Sequence, residues 1–144
     1  MRISTKGRYA MQLMLDLARY NTGEPISLKD ISKRQEISEK YLEQIISLLN
    51  KGGFVRSVRG AQGGYLLNRD PKDYKVGEIL RITEGDLAPV ACLDQNSMEC
   101  EKRTGCATVR LWQMIDDAVS SVVDKVTLQD LLDWSADAAD TYVI

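Results

Sequence analysis

Between Ser27 and Leu67 the sequence sets three signals end to end, with so few spare residues that few folds remain open to it. Ser27-Leu-Lys-Asp30 has the form of a capping box, a hydroxyl and a carboxylate answering the free N–H groups of a helix start. The short helix it opens runs to about Gln35. A tight turn, Glu36-Ile37, leads to Ser38, an N-cap for a further helix from Glu39 to about Lys51. There Leu42, Ile45, Ile46 and Leu49 stand at i, i+3, i+4 and i+7, leaving Lys40, Glu43, Gln44 and Ser47 on the outer face. Gly52-Gly53 ends the helix. Phe54 to Val58 and Tyr65 to Leu67 are two β-prone runs around a glycine-rich tip, Arg59-Gly-Ala-Gln-Gly-Gly64, which is a hairpin pattern.

Two short helices joined by a turn, the second polar on its outer face, predict a helix-turn-helix whose second helix lies in a DNA major groove. Plain core packing produces the same arrangement, so the hairpin decides. From Lys51 to Arg69 the chain carries four basic residues and no acidic one. A glycine-rich tip lets backbone N–H groups approach phosphates, and Arg56 and Arg59 add charge-assisted contacts. Gly60 and Gln62 at the tip, and Ser38 and Lys40 at the start of the third helix, belong to the same surface. Gln44 suits a bidentate pair with adenine, and Glu43 suits acceptance from cytosine N4. Phosphate would repel a carboxylate that read no base, so Glu43 points to sequence specificity; a merely solvated Glu43 is the plain alternative.

The flanks complete a mostly α chain. Thr5 to Tyr20 reads as a helix with Ala10, Leu13, Met14, Leu17 and Ala18 as its core stripe, and Asn21 to Pro25 as a turn. Val76 to Glu84 is a further short helix, with Ile79, Leu80 and Ile82 apolar. Residues 85–105 show no periodicity and read as a loop. From about Cys106 to Val123 the pattern is helical again, with rows Leu111, Ile115, Ala118, Val122 and Trp112, Val119, Val123. That face is wider than one neighbouring element needs, so part of it is expected to meet a second subunit. Thr127-Leu-Gln-Asp130 caps a last helix through Trp134. The expected fold is a winged helix-turn-helix with a long dimerisation helix: residues 1–84 bind DNA, 85–105 form a cysteine-bearing loop, and 106–144 hold the dimerisation and C-terminal helices.

Charge supports this division. The net −2 hides a basic half, residues 1–75 with 14 Lys/Arg against 8 Asp/Glu, and an acidic half, residues 76–144 with 5 against 13. No apolar run approaches the roughly 18 residues of a membrane helix, and the N-terminus lacks a signal peptide's apolar stretch, so the chain is expected to be cytoplasmic and off the membrane. There is no histidine. With no phosphate-loop glycine pattern and no nucleophile–base pair, an enzyme is not expected.

Cys92, Cys100 and Cys106 fall within fifteen residues, spaced Cys-x7-Cys-x5-Cys ahead of the long helix. An odd number makes a disulfide framework unfavourable in a cytosolic chain. Three thiolates this close suit an iron–sulfur cluster or zinc, and equally suit free thiols serving as small hydrophobes.

Three stretches carry a resemblance: residues 1–10 (MRISTKGRYA), residues 38–44 (SEKYLEQ) and residues 58–65 (VRGAQGGY), with Val76-Gly-Glu-Ile79 beside them. Over roughly residues 1–134 the chain resembles the Rrf2 family of winged-helix transcription regulators. The resemblance implies a homodimer, built on the long helix crossed with its twin, on palindromic double-stranded DNA. In IscR-like members the matches of Tyr41, Glu43 and Gln44 read bases while the wing enters the minor groove. IscR-like and NsrR-like members hold a cluster through three cysteines here, which implies 2Fe–2S, with 4Fe–4S the next choice, on Cys92, Cys100 and Cys106. This chain departs in its longer first interval and in Val109, which stands where IscR-like chains carry a ligating histidine. Arg8 stands where NsrR-like chains offer an aspartate. The fourth ligand is open among Asp94, Glu99, Glu101, a hydroxyl, water or a small thiol. CymR-like members lack the cysteines and answer to a protein partner, an enzyme of cysteine metabolism; that and a zinc-stabilised DNA-binding module are the alternatives.

Overall fold

The computed structural model of the chain describes residues 2–93 and 106–141. Its helices are α1 (Thr5–Arg19), α2 (Leu28–Gln35), α3 (Glu39–Lys51), α4 (Val76–Glu84), α5 (Ala107–Val123) and α6 (Leu128–Thr141), with strands β1 (Val55–Val58) and β2 (Gly64–Leu67) between α3 and α4. Serines start the first three helices. Ser4 Oγ accepts from Gly7 N at 3.1 Å, Ser27 Oγ from Asp30 N at 3.2 Å, and Ser38 Oγ from Tyr41 N at 3.2 Å. Between α2 and α3, Glu36 takes the left-handed conformation (φ 55°), the one non-glycine among the described residues with positive φ. Ile37 is buried behind it, and Ser32 Oγ donates to the Ile37 carbonyl, so the turn is pinned from both sides.

One core joins these parts. Ala10, Leu13, Met14 and Leu17 of α1 meet Ile31 of α2 and the α3 stripe of Leu42, Ile45, Ile46 and Leu49, all at most 4% exposed. The same cluster takes in Phe54, Val55, Tyr74, Ile79 and Leu128. Asp16 is the buried charge among them. Its carboxylate accepts two bonds from Arg34, at 2.9 and 2.8 Å, and one from Gln35 at 3.0 Å. Arg34 also lies over the Tyr20 ring, 4.1 Å from its centroid, so the end of α2 is locked to α1 by charge and by stacking.

The strands pair antiparallel in register Val55↔Leu67 through Val58↔Gly64. Ile26, in the α1–α2 connection, bridges to Tyr65 through both main-chain bonds and gives the hairpin a short third member. A Cβ at Gly64 would run into the Ile26 backbone, so this close approach requires glycine. Beyond the wing, α4 returns to α1: Glu84 accepts from both the amide and the hydroxyl of Ser4, at 3.1 and 2.6 Å.

The fold is a mostly helical winged helix-turn-helix followed by a long helix. Three details depart from the sequence expectation. The last helix continues past Trp134 to Thr141, because Ser135-Ala-Asp-Ala-Ala contains no residue that stops it. Single 3₁₀ turns occur at Pro71–Asp73 and, inside the expected loop, at Ala91–Leu93. The first helix closes at Arg19, with Tyr20 as its C-cap. The rest of that loop, residues 94–105, lies outside the described residues. None of the seventeen residues of α5 is fully buried, and Leu111, Met114 and Val122 are 49%, 62% and 58% exposed.

Candidate nucleic-acid interface and thiol segment

Because Leu42, Ile45, Ile46 and Leu49 are drawn into the core, α3 has no choice about its outer face. Ser38, Lys40, Glu43 and Gln44 are all exposed, as the periodicity predicts. Glu43 and Gln44 make no hydrogen bond or ion pair with another described residue, so their donors and acceptors are open to a ligand. Tyr41 differs. It is half-buried, its ring edge-on to Tyr9 of α1 at 5.5 Å and 89°, so part of its surface serves packing. That contact fixes where α3 begins relative to α1.

At the wing, Arg56, Arg59, Gly60 and Gln62 are exposed together. Gly60 has φ 115°, and Gly63 N donates to Gly60 O at 3.0 Å, which closes the tip as a tight turn. A side chain at Gly63 would collide with the Val58 carbonyl. The tip therefore exposes backbone and arginine with little else in the way. Lys40, Arg56 and Arg59 supply the positive charge that phosphate contact needs.

Sequence reasoning missed the residues that hold these surfaces in place. Asp16 and Arg34 brace the first helix of the helix-turn-helix; the Arg34 guanidinium is held above its usual pKa by its hydrogen bond to Asp16. Tyr74, fully buried, carries the base of the wing, and burial raises its hydroxyl above the ordinary tyrosine range. The available signal for Tyr74 was an aromatic residue flanked by Asp73 and Lys75, directly after a Pro-initiated turn.

The thiols lie at the edge of the described residues. Cys92 sits half-buried in the Ala91–Leu93 turn. Cys106, also half-buried, is the N-cap position of α5, its sulfur 3.0 Å from Thr108 Oγ1. Cys100, Asp94, Glu99 and Glu101 lie outside the described residues, and among those described no group of three metal-ligating side chains is assembled. Two of the three cysteines thus stand at the two ends of the segment that opens α5. The donor set is soft and thiolate-only, which fits an iron–sulfur cluster or zinc held by three protein ligands. Arg8 is exposed on α1 and Val109 is half-buried on α5; neither is a ligand type.

No helix among the described residues is long and apolar enough to cross a membrane. The family model for Rrf2, described as iron-dependent transcriptional regulators, matches residues 3–134. The HTH-type transcriptional regulator CymR of Bacillus subtilis is 41% identical over 143 residues, spanning 99% of this chain and 98% of that one. Its solved structure, that of the global cysteine regulator of B. subtilis, superposes with a TM-score of 0.76 at 40% identity, covering 93% of this chain and 98% of that one. The HTH-type regulator IscR of Yersinia pseudotuberculosis is 40% identical over 132 residues, 92% of this chain and 79% of its own length. The structure of T. potens IscR superposes with a TM-score of 0.77 at 42% identity, covering 96% of this chain and 90% of that one. With its winged helix-turn-helix and these relatives on either side, the chain belongs to the Rrf2 family of transcriptional regulators.

Proposed function

We propose that two copies of this chain read a palindromic operator, with DNA affinity set by an iron–sulfur cluster on Cys92, Cys100 and Cys106, 2Fe–2S being the favoured type. One observation carries the DNA part: the outward Glu43 and Gln44 of α3 share the chain's basic half with a glycine-tipped wing bearing Arg56 and Arg59. Glu43, Gln44 and Tyr41 face base edges, Ser38 and Lys40 the backbone at the start of α3, and Arg56, Arg59, Gly60 and Gln62 the phosphates and groove under the wing. Two copies join through α5, whose apolar rows are nowhere fully buried within one chain.

The three thiols and the family's iron dependence support the cluster reading. When bound, the cluster supplies an iron- and redox-sensitive tie at the segment leading into α5. Around it, the chain's own residues do the transmission. Cys92 lies in the turn after α4, Cys106 is the N-cap position of α5, and Arg81 ties the far end of α5 to α4 through Asp124. A change at the thiols therefore bears on the angle of α5 and so on the spacing of two winged domains.

The decisive experiment is anaerobic purification, with the visible spectrum, iron and sulfide content measured beside operator affinity. Cys92→Ala, Cys100→Ala and Cys106→Ala should each remove the colour and change operator affinity. Colour lost with affinity unchanged removes the cluster as the switch, and a colourless protein holding one zinc per chain removes the cluster itself. A second reading, a regulator of cysteine metabolism answering to a protein partner, draws on the likeness to B. subtilis CymR over nearly all of both chains. It predicts operator binding indifferent to iron and shifted by an enzyme of cysteine metabolism.

A further inference from the structure

Tyr74 takes no part in the surfaces above, yet among the described residues it is the bulkiest fully buried side chain. Its ring stacks on Phe54, centroids 6.3 Å apart at 29°. Its hydroxyl reaches both ends of the wing. It donates to the Phe54 carbonyl at 2.6 Å, one residue before β1, and accepts from the amides of Asn68 at 2.9 Å and Arg69 at 3.1 Å, directly after β2. One donor and two acceptor sites are all a phenol offers, so its capacity is used in full. The Arg69 guanidinium covers the rings of Phe54 and Tyr74, at 5.3 and 5.0 Å, and pairs with Glu78 of α4 at 3.2 Å. A two-stranded hairpin is marginal by itself, so these contacts at its base decide how firmly it stands.

The backbone of the same stretch faces the opposite way. Tyr74 O accepts from Leu128 N at 3.0 Å, Val76 N donates to Val126 O at 3.0 Å, and Lys75 lies across a bridge from Thr127. The turn between α5 and α6 is thereby laced to residues 74–76. Next to it, Asp124 is clamped by Arg81, and Gly77 lets α4 approach so closely that a Cβ there would meet Val123 O. A shift of the α5 end thus moves the Tyr74 backbone, and the Tyr74 hydroxyl holds both ends of the wing.

We infer that Tyr74 is a positioning residue for DNA binding, through which the pose of the wing follows the end of α5. This rests on the proposed reading of the wing as a DNA contact, and its test separates the two. Tyr74→Phe keeps the ring and removes all three hydrogen bonds. Amide exchange in β1, β2, Asn68 and Arg69 should quicken by about tenfold or more, the scale of one or two lost hydrogen bonds, with α1 to α3 protected as before. Asp124→Ala, which removes the side-chain tie on the end of α5, should quicken exchange at Asn68 and Arg69 in the otherwise unchanged chain and add nothing in Tyr74→Phe. Operator affinity should fall about tenfold in Tyr74→Phe, and adding Arg59→Ala should cost less than Arg59→Ala alone, because an unposed wing has already lost that contact. Unchanged wing exchange in Tyr74→Phe, or protection lost equally across α1 to α3, overturns the inference. So does a wing indifferent to Asp124→Ala, or an affinity loss that simply adds to that of Arg59→Ala. Arg59→Ala without effect by itself would end the wing reading, while exchange would still decide whether Tyr74 poses the hairpin.

Discussion

Helix α3 hides its apolar stripe inside its own chain, with Leu42, Ile45 and Leu49 at 0% exposure, whereas α5 carries apolar rows as long and buries none of them completely. The two helices therefore have different debts to the rest of the assembly. The core decides the rotation of α3 and leaves Glu43 and Gln44 outward. The orientation of α5 depends on its ends: Arg81–Asp124 and the 74–76/126–128 ladder at one, and the thiol-bearing segment at the other. Under the proposed reading, α3 is a rigid reader and α5 a helix completed by a second copy, an arrangement that lets a signal move something without unfolding the reading surface.

The contrast is sharpest in stability. Leu42→Ala removes a fully buried side chain from the centre of the core and should cost about 4 kcal/mol, within the usual 2–5 kcal/mol for such cavities. Met114→Ala on α5, at 62% exposure, should change the melting temperature of the dilute protomer by no more than a degree or two, a surface effect of about 0.5 kcal/mol. Equal losses in thermal melts of the two variants would erase the distinction.

Next in size is the brace under the helix-turn-helix. Arg34→Ala strands the Asp16 carboxylate, fully buried, with Gln35 as its remaining partner, and should cost about 3 kcal/mol. Asp16→Ala should cost less, because Arg34 is about a third exposed and can turn to water. Urea melts of the two variants test the order, and the reverse order would mean that Asp16 is better solvated than its position implies.

How much of this was legible in the sequence follows from how far apart the partners lie. The serine caps, the α3 stripe and the glycine tip are local patterns, readable within a few residues, and their elements lie where periodicity placed them. The Asp16–Arg34 pair spans 18 residues and the Tyr74–Phe54 bond 20, so no window of helical or strand period contains both members. The same holds for the ladder of 74–76 with 126–128. Cysteine spacing was legible too, but spacing carries no statement about a fourth ligand, and the segment between Leu93 and Cys106 lies outside the described residues. The end of the last helix was misplaced because Trp134 ends the apolar pattern while helix propensity continues through the alanines.

The open side of α5 is tested by Val122→Asp, a charge at a position 58% exposed in one chain. In a dimer built on α5 this carboxylate is desolvated without a partner, and the dimer dissociation constant should rise about a hundredfold, roughly 2.7 kcal/mol. Sedimentation should show a monomer whose helical signal and melting match the dilute parent. A dimer of unchanged affinity would place the interface on some other face.

On the proposed reading face the effect on folding is the smallest, and there the kind of binding loss matters more than its size. Glu43→Ala and Gln44→Ala lie on an exposed face with no internal partner to lose, so stability should not move. On the specific operator each should cost about 1–3 kcal/mol and relax preference at one base pair, with binding to unrelated DNA unchanged. Arg56→Ala on the wing should behave in the opposite way. Affinity should fall by a similar factor on operator and unrelated DNA, and the slope of log K against log salt should shrink by about one, the signature of one lost phosphate contact. Competition titrations at several salt concentrations read both quantities at once. Should Glu43→Ala weaken all sequences equally and Arg56→Ala alter base preference, the roles of the recognition helix and the wing would have to be exchanged.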